Sequence, residues 1–82
     1  MNTPVWVVKK VQPQKNYTLI ITFADGTEKI YDARPLLNKR IYERLKNRAF
    51  FMTAHAECGT VVWDNDIDIA PEHLYETAKL IS

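Results

Sequence analysis

Only two glycines occur in this chain of 82 residues, and each lies between two short apolar segments. The first, in Asp25-Gly26, follows residues 17–23, where strongly apolar side chains fall on every second position as in a half-buried strand. Asp-Gly favours a two-residue type I′ turn, so we expect residues 27–32 to return as an antiparallel strand.

A two-residue turn also fixes which residues pair. It sets Ala24 opposite Thr27 and, counting outward, Ile21 opposite Ile30. The side chains expected on the core face of this hairpin are Leu19, Ile21, Phe23 and Ile30.

The second glycine lies in Cys58-Gly59, between residues 50–57 and 60–64, which both read as strands. A two-residue turn here sets Ala56 opposite Val61, a small side chain against a larger one. The sequence therefore predicts a second hairpin.

Two prolines mark the starts of helices, Pro35 for a helix ending at Asn47 and Pro71 for a helix at the C-terminus. A strand over residues 5–11 completes the order β-β-β-α-β-β-α. Hairpins in this order predict an α+β fold, a mostly antiparallel sheet with helices packed on one side, in one domain of residues 1–82. The apolar stripes expected on the helices are Leu37, Ile41 and Leu45 on the first and Leu74, Ala78 and Ile81 on the second.

Composition places the chain among ordinary globular proteins. Eleven basic and ten acidic side chains leave a net charge of +1, so we expect no broad nucleic-acid surface and no attachment to anionic membranes. The only cysteine, Cys58, gives no disulfide framework and favours a reducing compartment. No signal-peptide pattern and no apolar run of membrane-spanning length is found. We expect a cytoplasmic protein.

The residues for several common enzyme chemistries are missing. Gly26 and Gly59 are too few for G-x-G-x-x-G and too far apart for a Walker loop, and the only serine is Ser82. Cys58 with His73 is the remaining nucleophilic pair, but the adjacent carboxylate of Glu57 disfavours a thiolate. His55, Cys58 and His73 are also too few for structural zinc, which takes four ligands. We predict no catalytic residues, no enzyme activity, no metal and no cofactor.

Three alternating aspartates, Asp64, Asp66 and Asp68, begin like a calcium-binding loop. The pattern fails where glycine is needed and Ile69 stands, and again where a bidentate glutamate is needed and Tyr75 stands. A non-standard magnesium site is the alternative. We interpret the aspartates as the solvent side of an extended segment, with Asp68 capping the last helix. The residues expected to point inward are Trp63, Ile67 and Ile69.

Charge is unevenly distributed along the chain. Residues 39–48 hold five cations and one acid, whereas residues 64–76 hold five acids and no lysine or arginine. On an α-helix Arg40, Arg44 and Arg48 recur at i+4 and predict a basic stripe. Such a surface suits an acidic protein partner or self-association, including a homodimer, and a merely solvated helix face is the alternative. The predicted partner-binding residues are Lys39, Arg40, Arg44, Lys46 and Arg48.

Several stretches of the sequence, YTLIITFADG (17–26), YDARPLL (31–37), GTVVW (59–63) and DIAPEHLY (68–75), resemble domain-of-unknown-function family 2442. The resemblance implies a small bacterial α+β domain with no assigned catalytic residues. Some members carry a C-terminal helix-turn-helix domain, which we do not expect here because the sequence ends at Ser82. Others are encoded beside another small protein, in an arrangement similar to toxin–antitoxin pairs. A glycine common in the family before the Ile-Asp step is Asp66 here, so we expect Asn65 or Asp66 to adopt a left-handed conformation.

These observations lead to three functional hypotheses. The first is a non-enzymatic protein-interaction and regulatory module, the neutralising member of a bacterial two-gene pair, which contacts its partner through residues 39–48 or an exposed strand edge. The second is a weak nucleic-acid-associated domain that uses the three arginines of the stripe. A small enzyme using Asp66, Asp68 or the pair Cys58 and His73 is the least favoured.

Overall fold

The chain is described by a computed structural model that covers residues 4–64 and 67–81. Antiparallel strands and short helices confirm the predicted α+β class. In chain order the elements are β1 (Val8–Pro13), β2 (Thr18–Phe23), β3 (Glu28–Asp32), two 3₁₀ helices (Arg34–Asn38 and Arg40–Lys46), α1 (Arg48–Phe51), β4 (His55–Glu57), β5 (Thr60–Asp64), β6 (Ile67–Ile69), α2 (Pro71–Thr77) and β7 (Lys79–Leu80).

The strands form two antiparallel sheets instead of one. The first has the order β1-β2-β3-β7 and the second the order β4-β5-β6. The sheets meet where the Val8 N–H donates to the Gly59 carbonyl at 2.8 Å. Strands β6 and β7, of three and two residues, were not predicted, because so few residues show no recognisable alternation.

The first hairpin is closed by three residues, 24–26, and not by two. The Phe23 N–H donates to the Thr27 carbonyl, and the Gly26 N–H donates to the Phe23 carbonyl, each at 2.9 Å. Gly26 has a φ of 84°, and the Thr27 N–H donates to Asp25 Oδ1 at 2.9 Å. This is a type I turn followed by a left-handed glycine, which adds one residue to the loop.

The longer turn shifts the pairing by one residue and exchanges the two faces of β3. Ile30 lies opposite Ile20, and Tyr31 lies opposite Leu19. The prediction that Ile30 faces the core is therefore wrong, and Tyr31 is buried there in its place. The other three predicted core residues of this hairpin are buried as expected: Leu19, Ile21 and Phe23.

The second hairpin has the predicted turn and register. Ala56 lies opposite Val61. Cys58 and Gly59 have φ values of 51° and 80°, the two positive values that a type I′ turn requires. Gly59 also lies beside the entry to β1, because a Cβ built on it would stand 3.2 Å from Val7 Cγ1. Glycine suits this position because it adopts a positive φ without strain and leaves room for the Val7 side chain.

The segment predicted as one α-helix from Pro35 to Asn47 forms the two 3₁₀ helices. Lys39 separates them in an extended conformation, with φ −96° and ψ 136°. Hydrogen bonds in the segment join residues three apart: the Lys39 N–H donates to the Leu36 carbonyl and the Tyr42 N–H to the Lys39 carbonyl. The predicted single α-helix is therefore wrong.

Burial in this part of the chain follows in part a period of three, the number of residues in a 3₁₀ turn, although Lys39 and Arg48 of the same series are exposed. Ile41, expected in the core, is 71% exposed, and Leu37 is only half-buried. Leu45 is buried as predicted, because it belongs to the period of three as well as to the period of four. The buried residues separated by multiples of three are Ala33, Leu36, Leu45, Phe51 and Ala54.

The strand predicted over residues 50–57 is shorter than expected, because its first residues belong to α1. The Asn47 side chain accepts a hydrogen bond from the Phe50 N–H at 3.3 Å and caps this helix. Asparagine is among the best residues at an N-cap. A helix therefore begins after Asn47, although the apolar residues that follow favour a strand.

The last helix ends at Thr77, earlier than its predicted stripe requires. Leu74 is buried, Ala78 is half-buried, and Ile81 is 47% exposed, so the expectation for Ile81 is wrong. The Lys29 ammonium donates to the Tyr75 carbonyl, a position near the helix C-terminus where a cation is favourable. None of the helices in the described ranges has the length and apolar character needed to cross a bilayer.

The core lies between the two sheets and is closed by the 3₁₀ helices and α1. Trp63 of β5 donates through Nε1 to the Phe51 carbonyl at 3.0 Å, which satisfies the one polar group that the indole buries. Ile67 and Ile69 of β6 are buried, as predicted for the inward side of that segment.

Gly59→Ala is expected to destabilise the protein more than Gly26→Ala. Both glycines have positive φ, so alanine costs roughly 1–2 kcal/mol at either position. Only at Gly59 does the new Cβ press on Val7, since nothing lies within 4 Å of the corresponding Cβ at Gly26. We expect the free energy of unfolding in urea to fall by roughly 1 kcal/mol more for Gly59→Ala.

Val7→Ala supplies the control, because it removes the methyl group that the new Cβ meets. In the double variant Val7→Ala/Gly59→Ala the additional cost should disappear, which a double-mutant cycle measures. Equal costs at the two glycines, or a cost unaffected by Val7→Ala, would contradict the close approach.

Candidate functional site

The candidate site is the basic segment, defined as residues 39–48. One face of its 3₁₀ helix fixes it to the protein: Leu45 has no exposed surface, and the Tyr42 hydroxyl donates to the Asp68 carbonyl at 3.2 Å. Partial burial, with a smaller contribution from Asp68, raises the pKa of Tyr42, so the hydroxyl stays protonated as a donor. The side chains on the other two faces are thereby directed outward.

A second face carries the cations. Arg40, Glu43 and Lys46 are three residues apart and therefore lie on one side of the 3₁₀ helix. Among residues 4–64 and 67–81 no carboxylate lies within ion-pair distance of Lys39, Arg40 or Lys46. These side chains surround a concavity of about 260 Å³, which is lined by Leu37, Asn38, Lys39, Arg40, Glu43 and Lys46.

Arg44 and Arg48 do not join this face and make contacts within the protein. Arg44 Nη1 lies 2.7 Å from Asp64 Oδ2, and its guanidinium lies 4.5 Å from the ring centroid of Phe50. The Arg48 guanidinium lies 5.6 Å from the ring centroid of Tyr17. The predicted i+4 stripe is not formed, because residues four apart point about 120° away from each other on a 3₁₀ helix.

Tyr17, which the sequence did not single out, holds the end of the basic segment in place. It is a bulky residue with a positive φ of 64°, an unfavourable conformation for any residue but glycine. Its hydroxyl donates to the Lys46 carbonyl at 2.6 Å, and its ring meets Phe51 edge-on with centroids 5.1 Å apart. No sequence signal marks this role, since Tyr17 reads as the first residue of an alternating strand.

Two of the alternating aspartates, Asp64 and Asp68, line one concavity together with Glu57 and Cys58, but their contacts differ. Asp64 pairs with Arg44, and Asp68 is exposed on β6. The N-cap of α2 is Ala70, which has no side chain able to cap, so the predicted capping role of Asp68 is wrong. Asp66, and with it the left-handed turn expected at Asn65 or Asp66, lies outside the described residues.

The two histidines have different partners. His55 Nε2 lies 3.1 Å from Glu57 Oε2, and His55 Nδ1 lies 3.1 Å from the Thr53 carbonyl. His73 Nε2 lies 3.3 Å from the Tyr31 hydroxyl. Cys58 is a free, exposed turn residue. In residues 4–64 and 67–81 no group of three or more His, Cys, Asp or Glu side chains is placed to hold a metal ion.

The model of a family described as "Protein of unknown function (DUF2442)" matches residues 8–79, nearly the whole chain. No curated protein and no solved structure matches it significantly.

His55 is expected to titrate above its ordinary pKa. The Thr53 carbonyl and, second, the Glu57 carboxylate favour the imidazolium and raise the pKa of His55. The stabilisation from this protonated form is present below the unfolded-state pKa and is lost as pH rises through the higher folded-state pKa. We expect Glu57→Gln to lower the pKa of His55 without abolishing the shift, as read from the imidazole proton resonances in an NMR titration. A pKa of His55 unaffected by Glu57→Gln would contradict the pairing.

Proposed function

The chain belongs to the DUF2442 family, and on the geometry of the basic segment we propose that it is a non-enzymatic protein-interaction and regulatory module. One observation carries the proposal: Lys39, Arg40 and Lys46 line a single concavity and form no ion pair within the described residues. Unpaired cations grouped on a fixed surface favour association with an acidic partner. Arg44 and Arg48 do not line this concavity.

In this proposal the partner is a protein, and the chain is the neutralising member of a bacterial two-gene pair in the cytoplasm. The free, exposed thiol of Cys58 supports a reducing compartment. The contacts of the titratable groups support a binding role, because His55, His73 and Asp64 each contact a different partner. An activated nucleophile needs a base within hydrogen-bond reach, and Cys58 has no hydrogen-bond partner in the described residues.

Binding to nucleic acid through Arg40, Arg44 and Arg48 is the second hypothesis, and the contacts of these arginines support it less. Arg44 is paired with Asp64, and the Arg48 guanidinium lies 5.6 Å from the ring centroid of Tyr17, so two of the three arginines already have a partner within the protein. Each lost phosphate contact removes part of the affinity gained from counterion release.

The proposal is tested by co-expressing the chain with the product of each neighbouring gene and purifying the complex. We expect one product to bind, and Lys39→Glu/Arg40→Glu/Lys46→Glu to weaken the complex at least roughly tenfold, because three favourable charges become repulsive. Binding is measured by isothermal titration calorimetry at low and moderate salt.

The matched control reverses three exposed lysines of β1 and the loop that follows it, Lys9→Glu/Lys10→Glu/Lys15→Glu, and so changes the net charge equally. This variant should bind as the unmodified chain does. Equal losses in the two triple variants, or no complex with either gene product, would overturn the proposal. Salt-sensitive binding to labelled single-stranded DNA or RNA that is lost in Arg40→Gln/Arg44→Gln/Arg48→Gln would establish the second hypothesis instead.

A further inference from the structure

The cationic face of the basic segment has an acid at its centre. Arg40, Glu43 and Lys46 line the same concavity, so the charges along this face follow the order positive, negative, positive. A 3₁₀ helix rises roughly 2 Å per residue, which sets the two cations about 12 Å apart along its axis with Glu43 midway. Because the period is three, the row runs straight along the helix.

An extended peptide presents side chains at nearly the same spacing as the row of Arg40, Glu43 and Lys46. In a strand the residues i, i+2 and i+4 point to one side, and i and i+4 are about 13 Å apart. On an α-helix residues i and i+7 stay within about 20° of one line but span only about 10.5 Å, and residues i and i+8 span about 12 Å but point about 80° away from each other. The partner that fits best is therefore extended, with acids at i and i+4.

Glu43 determines which side chain is favoured at position i+2 of the partner, between its two acids. A third acid at i+2 would face the Glu43 carboxylate at the centre of the concavity, and like charges opposite each other are destabilising. A lysine or arginine at i+2 would meet its opposite charge. Glu43 likewise disfavours a strand of nucleic acid, which places a negative charge along its whole length.

Ile41 adds an apolar contact. It is 71% exposed, follows Arg40 directly and lies on the face that adjoins the charged row. A large aliphatic side chain beside unpaired cations is typical of protein interfaces, where an apolar anchor is surrounded by a polar rim.

We propose that the basic segment recognises an extended protein segment of the form acid-x-base-x-acid, with an apolar residue placed against Ile41. This inference rests on the proposed function and specifies its partner. Arg40 and Lys46 each meet an acid, Glu43 meets the central base, and Lys39 adds charge at the rim. The recognised chemistry is an alternating charge pattern and not acidity alone.

Synthetic peptides test the charge pattern. The probes are fluorescein-labelled peptides with the cores Glu-Val-Lys-Val-Glu, Glu-Val-Glu-Val-Glu and Lys-Val-Glu-Val-Lys, measured by fluorescence anisotropy at low salt, where surface pairs are least screened. We expect the first to bind roughly fivefold more tightly than the second, in spite of its smaller negative charge, and the third not to bind.

Variants of Glu43 and Ile41 assign the effect to residues. Glu43→Lys should reverse the order of the first two peptides, and Glu43→Gln should make them nearly equal. Ile41→Ala should weaken the first peptide roughly fivefold, because the lost side chain leaves its apolar partner in water. Leu80→Ala is the matched control, since Leu80 is 65% exposed on β7, and it should change nothing.

The outcomes separate this inference from the proposed function. Tighter binding of the Glu-Val-Glu-Val-Glu peptide, or no binding of any peptide, overturns the inference, whereas the proposed function is decided by the complex with a gene product. Self-association of the chain that is lost in Lys39→Glu/Arg40→Glu/Lys46→Glu would assign the surface to a second copy and overturn the inference. Tighter binding of single-stranded nucleic acid than of every peptide would also overturn the inference.

Discussion

Burial of three apolar residues separated by multiples of three, Leu36, Leu45 and Phe51, is the constraint on which the rest of this structure depends. A 3₁₀ helix has poor hydrogen-bond geometry, and short helices are marginal in water on their own. Here Leu36, Leu45 and Phe51 insert into the space between the two sheets, and burying a side chain of this size contributes about 1.5–3 kcal/mol. The helices therefore exist because their apolar residues match a three-residue turn and meet a core, and not because of their intrinsic propensity.

The same constraint decides what the basic residues do. Five cations close together in sequence would form one stripe on an α-helix, but on the observed backbone they divide into two groups. Arg44 and Arg48 pack against Phe50 and Tyr17 and stay with the protein. The remaining three surround the concavity. This division follows from the 3₁₀ turn, which separates Arg40 from Arg44, and from the start of α1, which carries Arg48.

The sequence predicts most of the sheet and little of the site, for identifiable reasons. The β2 core face follows from alternation, and the second hairpin follows from a turn in which both positive φ values are present. The predicted register of the first hairpin is wrong by one residue, because Asp25 keeps a negative φ and accepts a hydrogen bond from Thr27. The sequence Asp25-Gly26 alone does not reveal either feature.

The prediction of an α-helix for the basic segment is the larger error. It arose because the apolar residues fit a spacing of four as well as a spacing of three. Leu37, Ile41 and Leu45 fit a spacing of four, while Leu36 and Leu45 fit a multiple of three, so Leu45 satisfies both. The longer series that includes Ala33 and Phe51 would have favoured the 3₁₀ geometry, had it been extended across the predicted helix boundary. The exposure of Ile41 follows only from that geometry.

Tyr17 shows how the backbone of the proposed binding surface is held in place. Its left-handed backbone costs roughly 1–2 kcal/mol. A hydrogen bond from its hydroxyl, at about 1 kcal/mol, and the edge-on contact with Phe51, at about 0.5–1.5 kcal/mol, together offset that cost.

The acceptor of this hydrogen bond is the carbonyl of Lys46, the residue at the end of the charged row. Because a contact from another part of the fold fixes the backbone there, the row of Arg40, Glu43 and Lys46 keeps its spacing before any partner arrives. A partner then does not have to order this backbone, and less of its interaction energy is lost to conformational entropy.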